Sequence, residues 1–354
     1  MMNRHSPILA SCGFLLLILA GCMNQKKETI VQAMGEEARH LRNIRQLTFG
    51  GENAEAYFSF DDRKLIFQST RDGRKADQIY TMRVDGRKAR LVSTGKGRTT
   101  CSFYYPDGKR FLYASTHLAG AEPPEALRVI NGKYVWAIHK SYDIFSARPD
   151  GSEFKRLTST DGYDAEATIS HDGKVVFTSA RDGDLEIYTM NLDGSDQKRL
   201  TFEKGYDGGP FFSADGKKIV YRAHHPKKKE EVDVYQKFLN MGYVQPTRME
   251  IFIIGADGRN RRQLTNNGKA NFCPFFHPSG KKIIFASNSD PSNSRNFELY
   301  TLNIDGTGME RITYNPTFDG FPMFSSNGNR LVFASNRNAK VRGETNIFVA
   351  DWVD

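Results

Sequence analysis

One block of residues returns six times along this chain, and that repetition restricts the fold more than any other feature. The block reads aromatic-Ser-x-Asp-Gly-Lys-Lys-apolar, and its copies start at Phe58-Ser59, Tyr104-Tyr105, Ile169-Ser170, Phe212-Ser213, Phe276-His277 and Phe324-Ser325. The turn position is Asp62 in the first copy and Gly108, Gly173, Gly216, Gly280 and Gly328 in the others, at intervals of 46, 65, 43, 64 and 48 residues. A second block, Ile/Leu-aromatic followed by Asp-Gly, comes after each of the first five copies, as in Ile79-Tyr80 with Asp85-Gly86 and Ile187-Tyr188 with Asp193-Gly194. Ile347-Phe348 supplies its apolar pair in the sixth. A third block, Arg-x-Leu-Thr or a variant, stands at Arg45-Gln46-Leu47-Thr48, ahead of the first copy, and returns after each of the first five.

Asp-Gly between alternating apolar runs marks a tight hairpin, and a type I′ turn with two positive-φ residues is the expected form. Two such turns per repeat define four strands, a to d. Four-stranded repeats of this period are propeller blades, each of which needs its neighbours to cover its faces. There are six a-b-c units, but the first d segment precedes the first a, and the last c has no d after it. The reading is an all-β, six-bladed β-propeller over 44–354, closed by its N-terminal strand; an open array would leave two bare edges. The 39% hydrophobic content suffices for such a core, and four Cys are too few for a disulfide scaffold.

The two long intervals place insertions in blades 2 and 4, roughly 116–141 and 223–248. Both join strands b and c, so both rise from the face that carries the b–c and d–a connections. In the second, Val232, Tyr235, Phe238 and Leu239 recur at helical spacing, which suits a helix folded back on its blade or a partner-binding lid. Long ordered loops on a rigid frame often carry function.

Residues 1–21 read as an export signal: Arg4, then an apolar stretch too short to span a bilayer, ending Leu19-Ala20-Gly21-Cys22. This ending resembles a bacterial lipobox, which implies a lipid on Cys22 and a tether over 22–43 with a short helix near 32–41. By the same resemblance, Met23 after the Cys implies the outer membrane, facing the periplasm. Maturation removes Arg4 and no acid, so the formal charge falls from +9 to +8. Much of that charge lies at the a–b turns, at Lys109, Lys174, Lys217 and Lys281 among others, which suggests that this opposite face rests near anionic envelope surfaces.

Candidate site residues follow from the repeat. Nine positions before each turn, at the start of strand a, stand Asn53, Thr99, Asp164, Asp207, Asn271 and Asp319. Six oxygen side chains at one channel mouth would hold Ca²⁺ or a hydroxyl-rich ligand; alternatively, each caps its own d–a turn. Beginning the b–c loops are Arg71, His117, Arg181, His224, Ser289 and Arg337. The Arg residues suit a carboxylate or phosphate, or acids of the adjacent blade. Beyond Cys22, the cysteines in play are Cys101 and Cys273, in opposite blades, too far apart to pair and expected to be free.

The repeats resemble the TolB-type propeller, with Thr189-Met190-Asn191-Leu192-Asp193-Gly194 and Thr81-Met82-Arg83-Val84-Asp85-Gly86 as close matches. The α/β domain that precedes that propeller in TolB itself has no counterpart here, so the resemblance is to propeller-only, TolB-like lipoproteins. It implies a non-enzymatic, monomeric envelope scaffold that binds a protein or glycan, with no required cofactor and no nucleic acid. No Gly-x-Ser-x-Gly, Walker or Rossmann motif appears. The alternative is a metal-assisted lyase or hydrolase acting on acidic oligosaccharides, with His117, His139, His224 and His225 converging on Asp164 or Asp207.

Overall fold

The computed structural model describes residues 29–31 and 35–354. The signal segment, Cys22 and the start of the tether lie outside the described residues. Six antiparallel sheets form the ring. Blade 1 takes its strands a to d from Asn53–Phe58, Lys64–Ser69, Gln78–Arg83 and Arg90–Leu91. Blades 2 to 5 repeat the order, with strand a at Thr99–Tyr104, Asp164–Ile169, Tyr206–Phe212 and Asn271–Phe276. Blade 6 holds Asp319–Phe324, Arg330–Ser335 and Asn346–Trp352, and its fourth strand is Leu41–Gln46.

The closure expected from the repeat register is therefore present: Leu41 pairs with Trp352 and Gln46 with Phe348. Leu41 and Ile44 are fully buried, while Arg42 and Asn43 between them are exposed, because the pairing shifts between Arg42 and Arg45 and Asn43 has φ 50°, a bulge in the closing strand. Where the other d strands have two residues, this one has six. Residues read as tether also fold onto the ring. Thr29–Val31 adds an outer fifth strand to blade 6, and Gly35–Arg39 forms a 3-10 turn. Between them, Glu37 and His40 fasten the entry: Glu37 bonds Arg337, and His40 stacks on Trp352 at 5.1 Å.

The a–b turns differ from the type I′ expectation. In blade 2 the Gly108 N–H donates to the Tyr105 carbonyl and the Tyr105 N–H to the Arg110 carbonyl. Positive φ falls on Gly108, at 65°, and not on Asp107. Asp107 instead accepts the Lys109 N–H at 2.9 Å. A four-residue loop with one left-handed residue explains why the acid precedes the glycine: it caps the turn from a right-handed backbone. In blade 1 Asp62 itself takes the left-handed place, with φ 56°, and its carboxylate accepts the Ser326 N–H of blade 6.

All six a strands carry a β-bulge. Register shifts occur between Ala54/Tyr57, Thr100/Phe103, Ala165/Thr168, Gly208/Phe211, Phe272/Phe275 and Gly320/Met323. The left-handed residues are Glu55, Cys101, Glu166, Gly209, Cys273 and Phe321, with φ between 49° and 61°. A bulge re-aims the side chain it carries, and here it does so at the same level of every blade. Just beyond, Tyr57, Phe103, Phe211 and Phe275 meet across the axis, with Tyr57–Phe211 centroids 5.5 Å apart and Phe211–Phe275 5.3 Å apart. This aromatic plug divides the channel in two.

Buried carboxyls give the fold a pH signature. Burial is the first cause of raised pKa values at Glu186, to about 7, and Glu298, to about 8, although Thr201 with Arg199, and Thr313 with Arg311, bond their carboxylates. The native state then binds more protons than the unfolded chain between the ordinary Glu value and about 7–8, so stability falls as pH rises through that window. At the acid end the turn carboxylates Asp61, Asp85 and Asp215, held low by Ser59, Arg87 and Ser213, lose their contribution as pH drops through their depressed values. Thermal melts across pH 3–9 should therefore peak near pH 5 and decline toward pH 8. A Tm that rises steadily from pH 5 to pH 8 contradicts this.

Candidate functional site: the insertion face

The two insertions meet. Trp136–Ala137 from blade 2 pairs with Tyr243–Val244 from blade 4, Trp136 opposite Val244 and Ala137 opposite Tyr243. A two-stranded bridge thus passes over blade 3, which lies between its two roots. A hairpin of Val129–Ile130 with Lys133–Tyr134 precedes it in the chain. The expected helix spans Lys229–Asn240. It is folded back: Phe238 is buried, Tyr235 and Leu239 pack on a cluster containing Tyr142, Tyr163 and Val244, and the Tyr235 hydroxyl donates to Asp184 at 2.5 Å and to the Gly205 carbonyl at 2.7 Å. Its apolar stripe belongs to the core, and Val234 and Met241 remain outside.

Exposed apolar side chains are distributed unevenly between the two faces. Ten large ones are exposed among the described residues. Eight belong to the insertions or to b–c and d–a connections: Leu118, Leu127, Val129, Tyr134, Phe202, Val234, Met241 and Val341. Phe154 and Met309 are the two elsewhere. Phe202 is 71% exposed and Val341 65%, far outside any core packing. Beside Val341, Asn315, Arg337, Arg342 and Glu344 border an open groove of about 520 Å³. Single exposed apolar residues need no explanation, but clustering on one face marks an interaction surface.

The residues proposed for the channel mouth occupy the seams between blades. All six are fully buried. Asn53 donates to the Gly50 and Thr345 carbonyls and accepts from Ser69; Thr99 donates to the Asp77 carbonyl. Asp164 accepts from Thr160, Ser179 and Arg181. Asn271 donates to the Met249 carbonyl and Glu250, and Asp319 accepts from Arg337 at 2.8 Å. Asn53 and Asp164 thus tie their d–a connections to strand b, the capping arrangement, while Thr99 and Asn271 bond the preceding blade beside its strand c. The b–c loop residues complete the same nodes. Arg181 pairs with Asp164, Arg337 with Asp319, His117 Nδ1 meets Ser115 at 2.8 Å, and Ser289 meets Ser287. Arg71 lies over the Phe67 and Tyr80 rings. In blade 4 His225, not His224, holds this place: Asp207 pairs with Ala223 along the sheet, and the His225 Nε2 meets Asp207 at 2.9 Å. His225 stands nine residues after Gly216, as Arg71 does after Asp62 and His117 after Gly108, so the repeat spacing itself points to His225.

The four histidines do not assemble. His117 lies 4.4 Å from the Phe145 ring, His139 stacks near Tyr142, His225 is spent on Asp207, and His224 sits opposite Tyr206 in the sheet. Burial lowers the pKa of His117, His139 and His224. Among the described residues no group of three His, Cys, Asp or Glu side chains is placed to hold a metal ion. The residues therefore fit neither the His-ligated metal nor the Ca²⁺ ring.

Two features escaped the repeat pattern. Cys101 and Cys273, both free, belong to the bulge ring. The ring holds Glu, Cys, Glu, Gly, Cys and Phe, which share no chemistry; the signal was their common offset of seven from the turn. On the other face, a small cavity of about 60 Å³ opens among Phe60, Phe103, His171, Phe211, Phe275 and Met323 below the plug.

A family model described as TolB beta propeller domain matches residues 133–245. No curated protein matches the chain. Among solved structures, a putative TolB from Agrobacterium tumefaciens is 18% identical with a TM-score of 0.56, over 86% of this chain and 91% of that one. TolB from Acinetobacter baumannii is 18% identical with a TM-score of 0.54, over 86% of this chain and 64% of that one. An oligogalacturonate lyase in complex with manganese is 17% identical with a TM-score of 0.53, over 93% and 96%. At these identities the likeness is one of fold. Among the described residues no helix is long and apolar enough to cross a membrane.

Proposed function

We propose that this TolB-type six-bladed propeller is a non-enzymatic binding scaffold of the cell envelope, anchored by lipid on Cys22, which captures a protein through its insertion face. The observation that carries the reading is the concentration of exposed apolar side chains on that face, eight of the ten. The TolB likenesses support a scaffold. The lyase likenesses would support an enzyme, but the histidines that a metal-assisted reaction would need lie apart, so no catalytic step is derived.

The anchor would share that face. Thr29 pairs with Gln46, whose carboxamide accepts from Asn338 in the b–c loop of blade 6. Six residues lie between Cys22 and Thr29, and the seven steps reach about 24 Å at most. A lipid on Cys22 would hold the insertion side toward the bilayer and leave the a–b turn side facing away. The lysines of those turns are moreover accompanied by acids, such as Asp107, Asp172 and Asp215. This reverses the orientation read from charge alone, and an outer-membrane, periplasm-facing location follows from Met23 by resemblance only.

Leu127→Asp with Tyr134→Asp tests the face. Both positions are exposed, so stability should change by no more than about 0.5 kcal/mol. Capture of the partner by the lipidated full chain, measured by co-purification from envelopes, should be lost. Undiminished capture by a folded double variant overturns the face assignment.

A further inference from the structure

The bulge ring closes a second, unassigned site inside the channel. Blade 4 alone has no side chain in the ring, at Gly209, and the Nη1 of Arg222 fills the space a Cβ would occupy there. Gly209 also has φ 61°, so both room and backbone favour glycine. Arg222 is committed on one edge only. Its Nη2 donates to Glu166 and, at 2.7 Å, to the Tyr206 hydroxyl. Its buried Nε has no hydrogen-bond partner, although the side chain is only 8% exposed. A buried guanidinium N–H left open needs an explanation.

Glu166 cannot supply it. Besides Arg222, its carboxylate already accepts from Thr178 at 2.8 Å and from the Gly209 N–H at 2.8 Å. Across the ring, in blade 1, stands Glu55, whose carboxyl meets the Cys101 thiol and interacts with both Glu166 and Arg222. The Arg222 guanidinium pairs with Glu166 and not with Glu55, and burial raises the Glu55 pKa to about 7. Aromatic walls close the insertion side: the Arg222 guanidinium lies 5.3 Å from the Trp136 ring, and Trp136 packs on Phe272 at 5.1 Å. The aromatic plug closes the other end.

The chamber thus presents an open cation edge and an unpaired carboxyl from opposite blades, between aromatic rings. A simple anion would answer Arg222 and face Glu55; a simple cation would answer Glu55 and leave the Nε open. We propose that the chamber binds a small zwitterion of the α-amino-acid class. Its carboxylate takes the Nε edge of Arg222, its ammonium takes Glu55, and its side chain lies against Trp136 and Phe272. The site lies inside the channel, beneath the insertion bridge that supplies Trp136.

Titration calorimetry on the full chain tests it, using phenylalanine, leucine and glycine beside the half-molecules 3-phenylpropionate and phenethylamine. Saturable binding of at least one amino acid is expected, with each half-molecule at least ~10-fold weaker, since each forfeits one charge-assisted contact. Glu55→Gln should weaken the amino acid by at least ~10-fold, with an unchanged circular dichroism spectrum. Gly209→Ala should abolish binding by displacing Arg222; if that variant fails to fold, Glu55→Gln decides alone. Absence of heat with all three amino acids, equal affinity for a half-molecule, or full affinity in Glu55→Gln would each overturn the proposal.

Discussion

A chain shortened to begin at Phe49 is expected to lose the closed ring altogether. Leu41–Gln46 is the only partner of the outer edge of Asn346–Trp352 within blade 6. Its removal strips cover from Phe348, Ala350 and Trp352, which share a cluster with Leu41 and Ile44. Full burial of Leu41 and Ile44 contributes about 1.5–3 kcal/mol each, against a total stability of roughly 5–15 kcal/mol for a typical domain. The freed edge is also a template for pairing with other chains. The truncated protein should be aggregated or unfolded by size-exclusion chromatography and circular dichroism. Ile44→Ala isolates the packing part: a loss of about 2–5 kcal/mol in urea unfolding is expected, while exposed Arg42→Ala should stay within about 0.5 kcal/mol. A cooperative, monomeric melt from the truncated chain would show that the ring closes by other means.

The second large effect lies at Arg337. Its guanidinium joins Glu37, at 3.1 Å, to Asp319, at 2.8 Å, and all three side chains are essentially fully buried. It also lies over the Phe333 and Phe348 rings, at 5.1 and 5.8 Å. Even with this partner, burial dominates and raises the Asp319 pKa. Arg337→Ala strands two carboxylates in a dry seam, and breaking such a group costs about 3–5 kcal/mol. Chemical denaturation should show that loss. Adding Glu37→Gln and Asp319→Asn to Arg337→Ala should recover part of it, since the stranded charges, not the missing contacts alone, carry the penalty. A loss under 1 kcal/mol would mean that water enters the seam. Because Glu37 comes from the N-terminal segment, this lock and the closing strand act together, and their effects should not be additive.

Much of this architecture could be read from the repeat. Asp-Gly turns and the misplaced first d segment were enough to establish blade number and closure, because both depend on local chemistry repeated at a fixed offset. The same repeat misled about the site. Asn53, Asp164 and their equivalents are uniform because each blade needs the same seam, so uniformity marked structure. Function is where the blades differ. The insertions pair with each other across blade 3, and that contact between Trp136 and Val244 has no local signature. Glu55 and Gly209 were invisible for a related reason: their positive-φ bulges are set by strand a geometry, and Arg222, on strand b, comes against Gly209 only across that bulge. In blade 4 the neighbours His224 and His225 differ by one residue of offset, and that one residue decides which of them reaches Asp207.

Photo-crosslinking in intact envelopes decides whether the proposed partner is captured on the insertion face. A crosslinking residue would be placed singly at Leu127, Tyr134 and Val341 on that face, and at Lys109, Lys217 and Met309 on or near the opposite one. The prediction is one discrete crosslinked protein shared by the first three positions and absent from the last three. The same crosslinked product from Lys109, Lys217 or Met309, with none from Leu127, Tyr134 and Val341, would contradict it.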